Sequence, residues 1–146
     1  MRTEAQPKGS TLAQGVNVVG VDEADGMAFA AVDVEARAQA LVAQSADLEN
    51  LGLATVARFE AQRSLVLELL GELNGAEVAG GPTAALRGRF LAAEHEKQRL
   101  WGNVERLWAD SQRCIRRAAD LDRLAQVLRR GAEGLWRSEP ATVLGA

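Results

Sequence analysis

The chain has no Tyr, 3 Phe, 3 Pro, 1 His and 1 Cys among 146 residues. One Cys excludes an internal disulfide framework, and one Cys with one His cannot assemble a zinc site. No run approaches the roughly 18 apolar residues of a membrane-spanning helix. The sequence shows no signal-peptide pattern, and its net charge is −3. With a lone thiol, the expected setting is a reducing cytoplasm. Catalytic constellations are also missing. His95 stands between Glu94 and Glu96, but consecutive helical residues point about 100° apart and cannot converge on one metal. Cys114 has no base near it in sequence and sits on an apolar row, where a small buried hydrophobe is the simpler reading. Gly80-Gly81-Pro82 lacks the lysine of a phosphate-binding loop. The expectation is therefore no enzyme, no metal and no cofactor.

What is present is helix-forming. Apolar residues make up 47% of the chain, enough for a core in one domain. Residues 1–24 carry Gly9, Gly15 and Gly20 and read as a flexible N-terminal arm. A first helix is expected over about 25–74, with Asp25 as N-cap. Met27, Val34, Leu41 and Leu48 recur every seven residues, with Ala31 and Ala38 between them. The large residues then resume four positions out of step, at Phe59, Val66 and Leu73. Such a slip predicts a stutter at Gly52 that locally unwinds the supercoil. Asn74-Gly75 and Gly80-Gly81-Pro82 end this helix and predict a connection of about eight residues.

The second helix, expected over about 83–135, has the stronger pattern. Leu86, Ala93, Leu100, Leu107, Cys114, Leu121, Leu128 and Leu135 form one sevenfold row. Phe90, Lys97, Val104, Ser111, Ala118, Ala125 and Ala132 form its companion, and only Lys97 interrupts the two. Pro140 is expected to close the helix and leave residues 137–146 as a flexible tail. Residues 33–74 hold three Arg against seven acids, and residues 82–136 hold eleven Arg or Lys against seven acids. Two seams of matching length and opposite charge predict an all-α fold. That fold is a long antiparallel two-helix hairpin occupying residues 25–136, coiled-coil-like, with dimerisation into four helices left open.

A hairpin covers only one stripe of each helix, which singles out Trp101, Trp108 and Ile115. They also recur every seven residues, one position beyond the leucine row. Leu65, Leu67 and Leu69 widen the first helix in the same way. These flanks can be covered by the N-terminal arm, by a second copy, or by an apolar segment of another protein. Arg113, Arg116 and Arg117 are placed to steer an acidic partner toward them. Arginine ridges at 99, 106 and 113 and at 116, 123 and 130 also raise nucleic acid. Interleaved acids and the overall negative charge argue against it.

The two long helices, the Gly/Pro-bearing connection, and Glu96-Lys97-Gln98-Arg99-Leu100 followed by Asn103 resemble the FlgN-type flagellar export chaperones. The resemblance spans about residues 27–136. Asn103 and Gln112 stand for the polar stretch that family shows before its last apolar turns; Trp101 and Trp108 are not part of that pattern. The resemblance implies a cytoplasmic helical hairpin that shelters hook–filament junction subunits before type III export. The expected function is thus a non-enzymatic chaperone or adaptor for a protein client. A self-associating coiled-coil tether is the alternative, and a small nucleic-acid-associated helical protein the lesser one.

Overall fold

The computed structural model describes residues 15–145 for their backbone and residues 22–138 for their side chains. Two α-helices, α1 (Gly15–Ala79) and α2 (Ala84–Gly145), pack on each other as an all-α hairpin. Both outrun the expected bounds. The first begins at Gly15 rather than Asp25 and passes Gly75; the second continues through Pro140 into the expected tail. Glycine breaks a long helix less readily than its sequence signal suggests. An isolated helical glycine costs only about 1 kcal/mol against Ala, so the helix carries through it. The part of the arm before residue 15 lies outside the described residues.

What stops α1 is Gly80, whose φ of 73° is left-handed. Its N–H donates to the Glu77 carbonyl at 3.1 Å, and the Gly81 N–H to the Ala76 carbonyl at 3.0 Å. This pair of bonds satisfies two of the four terminal carbonyls, and glycine adopts the turn without strain. The Arg87 N–H returns to the Thr83 carbonyl at 2.8 Å, so Thr83 opens α2. The connection is therefore the four residues 80–83 rather than about eight.

The hairpin divides into two compact units. Among the described residues, the first comprises those up to Leu41 together with those from Arg116. Its core is alanine: Ala24, Ala31 and Ala38 of α1, and Ala118, Ala125 and Ala132 of α2, are all buried. The larger Val34, Leu41, Leu121, Leu128 and Leu135 are only half-buried. Small side chains let two helices approach closely, and the close approach pushes the larger row outward. Met27 lies over Gly131, with Sδ 2.9 Å from where a Cβ there would stand.

The second unit is Val42–Ile115. Ser45 and Ser111 are buried and share a 2.7 Å hydrogen bond between their hydroxyls. Toward the turn the core becomes bulkier, with Val66, Leu69 and Ala93 buried together and Phe90 packed against them. The Gln62 amide donates to the Ala93 carbonyl across the pair at 3.0 Å. Thr55 tolerates burial because its hydroxyl bonds back to the Leu51 carbonyl at 2.8 Å. Of the flank expected from Leu65, Leu67 and Leu69, only Leu69 is in the core; Leu65 and Leu67 are exposed.

The stutter is absent from this packing. Residues 24, 31, 38, 45, 52, 66 and 73 are buried and residue 59 half-buried, all on one sevenfold row of α1. Large residues occupy the neighbouring row before Gly52 and this row after it. That exchange of sizes mimics a slip of register. The charges pair mostly within each helix. Nine ion pairs form among the described residues, and seven join residues three or four apart in one helix. Only Arg87–Glu77 and Arg129–Glu35 link α1 to α2 among them. Neighbouring turns of one helix satisfy these charges at less entropic cost than a partner helix does.

Candidate functional site

Trp101, Trp108 and Ile115 all lie in the second unit, 39%, 41% and 40% exposed. They are neither buried nor free. The Trp108 indole rests on α1 at Gly52, where a Cβ would meet its Nε1 at 2.8 Å and its Cδ1 at 3.1 Å. Gly52 is thus the seat of an aromatic ring, which explains a glycine in mid-helix better than a stutter does. Trp101 meets the edge of Trp108, with centroids 6.2 Å apart and planes at 81°. On its other side it leans on Phe59, at 5.1 Å and 49°. These geometries suit the ring quadrupoles and hold three aromatics as one cluster.

Two clefts border the cluster. One, of about 500 Å³, is lined by Phe59 and Trp101 with Glu60, Glu94, Lys97 and Gln98. Among its lining is Lys97, the one residue that breaks the seam rows. An ammonium cannot be buried bare, so it turns to the Glu94 carboxylate at 3.0 Å. The other cleft, of about 310 Å³, is lined by Leu53, Trp108 and Gln112 with Glu49 and Ser111. The Ser111 hydroxyl donates to Glu49 at 3.3 Å. Phe59, Gly52 and Leu53 belong to this site, yet sequence pattern does not single them out. Periodicity makes Phe59 an ordinary seam residue and Gly52 a break.

The arginines expected to steer a client line neither of these clefts. Arg113 donates to Asp110 one turn earlier on α2, about 140° around the helix from Trp108. It lines neither of these clefts. Arg116 and Arg117 fall in the first unit, exposed and without an ion pair among the described residues. The charged groups lining the aromatic clefts are Glu49, Glu60, Glu94 and Lys97. The Arg99 guanidinium, hydrogen-bonded to Glu96, holds that carboxyl below its ordinary range; neither lines these clefts.

Cys114 is half-buried rather than enclosed, and His95 is exposed. Among the described residues, no three His, Cys, Asp or Glu groups gather where they could hold a metal ion. No described helix is long and apolar enough to cross a membrane. No protein-family model, curated protein or solved structure matches this chain.

Proposed function

We propose that the chain is a non-enzymatic binding protein, a cytoplasmic export chaperone or adaptor that shelters an apolar helix of a client in transit. The observation that carries this reading is the half-exposed Phe59–Trp101–Trp108 cluster with its bordering clefts. Rigid aromatics flanking open clefts are what an amphipathic helix uses as anchor points. The FlgN-type resemblance suggests a hook–filament junction subunit as client, within flagellar type III export. Titration of a purified junction subunit against the chain tests this. Saturable one-to-one binding that Trp108→Ala weakens by about 30-fold, with helicity retained, supports it. Absence of binding removes the flagellar assignment.

A second reading, self-association as a coiled-coil tether, has its own observation. Leu121, Leu128 and Leu135 are half-buried, while Leu124 and Val127 beside them are exposed. Light scattering separates the two readings, since a tether gains mass with concentration while a chaperone waits for its client.

A further inference from the structure

Building on the helix-docking reading of the aromatic clefts, we infer that the segment they receive is an amphipathic helix with basic, not acidic, residues beside its apolar face. Charge complementarity points to it. Glu60 and Glu94 line the larger cleft and Glu49 the smaller. Gln98 lines the first and Gln112 the second, and Glu105 lies midway between them on the same sevenfold row of α2. The cations at hand are already matched: Arg63 pairs with Glu60 at 3.3 Å and Lys97 with Glu94 at 3.0 Å. Glu49 and Glu105 have no cationic partner among the described residues. The apolar residues lining the two clefts are Phe59, Trp101, Trp108 and Leu53. A helix laid there brings its flanking side chains against the uncompensated Glu49 carboxylate in the cleft and past Glu105, which lines neither cleft but shares the row of Gln98 and Gln112. Lysine or arginine gains at those positions, and glutamate is repelled. Arg113 cannot reverse this, since Asp110 neutralises it on another face of α2.

The test uses the full chain and three dye-labelled helical peptides of about 18 residues, roughly five turns. Each carries leucines along one face, flanked by lysine, glutamine or glutamate. Fluorescence anisotropy at low salt is expected to rank lysine over glutamine over glutamate. The two extremes should differ about five- to tenfold, as a few partly exposed charge pairs produce. E49Q/E105Q should shrink that ratio toward one, and added salt should do the same. E68Q/E72Q removes two exposed carboxylates that line neither cleft and should leave the ratio intact; circular dichroism verifies that both variants fold. A glutamate peptide that binds as tightly as the lysine peptide overturns the basic-helix assignment and leaves the docking reading standing. So does an E68Q/E72Q variant that loses the preference equally, because the attraction then comes from overall charge. Failure of all three peptides to bind overturns the docking reading itself.

Discussion

Gly52→Ala tests the seating of Trp108 most directly, because two opposing effects can be separated by a control. In an exposed helix interior, Gly→Ala stabilises by about 1 kcal/mol through backbone entropy. Gly71, on the same helix and in the same unit, has nothing within 4 Å of its Cβ position. Gly71→Ala should therefore raise Tm by about 2–4 °C, the scale for a chain of this size. At Gly52 the new methyl would stand 2.8 Å from the Trp108 Nε1, so the indole must swing away. Trp108 is 41% exposed, and the burial it stands to lose is roughly 100 Å², worth about 2–3 kcal/mol at about 25 cal/mol per Å². Partial recovery of contact elsewhere reduces this. Gly52→Ala should fall about 1–3 kcal/mol below Gly71→Ala in stability. The Trp emission should shift to the red in the first variant and stay unchanged in the second. Matched Tm gains with matched emission would refute the placement of the ring on Gly52.

The packing sets further expectations. Ala31→Leu or Ala125→Leu, each forcing bulk into the alanine seam, should cost about 1–3 kcal/mol or more in thermal unfolding. Leu128→Ala, on the half-buried row, should cost less than about 2 kcal/mol, below the usual core range; the reverse order would mean that the leucines form the seam. Ser111→Ala should cost about 1 kcal/mol because it strands the Ser45 hydroxyl, Ser45→Ala should cost less because the Ser111 hydroxyl still reaches Glu49, and the double variant should cost less than the two added together. A double variant whose cost is the sum of the two would remove the case for coupling. Glu96, lowered by its hydrogen bond from Arg99 below an ordinary value of 4.5, contributes any stability above that pH and loses it as pH falls through the lowered value. Both side chains are open to solvent, so Glu96→Gln should leave the acid unfolding midpoint unmoved.

The helices and their pairing are legible in sequence because sevenfold spacing is a local property. Both rows of α2 emerge from spacing alone. Their depth does not, since hydrophobicity ranks Leu128 above Ala125 while the approach of two backbones ranks them the other way. The false stutter has the same source: residue size changes rows at Gly52, and size is what a periodicity argument reads as register. Trp101 and Trp108 stand out because large aromatics beside a seam are conspicuous. Phe59 does not, since nothing in a one-dimensional pattern says that it turns from the seam to meet Trp101. Arg113 pairs with Asp110 because an arginine three residues after an aspartate finds a partner on its own helix.

The buried serine pair has a consequence for how the hairpin finds its alignment. A stretch built from repeated small residues is nearly self-similar under a slide of seven positions, so it adds little to the alignment that the four-residue connection and the bulkier core beside it impose. Ser45 and Ser111 break that degeneracy. Sliding one helix by a heptad sets Ser45 against Val104 in one direction and Ser111 against Gly52 in the other. Either slide parts two hydroxyls that bond at 2.7 Å and strands them in an apolar seam, at about 1–3 kcal/mol for each that finds no substitute. The pair acts as a vernier mark far from the turn, and a chain with alanine at both positions should fold as readily while its small-residue stretch aligns less uniquely.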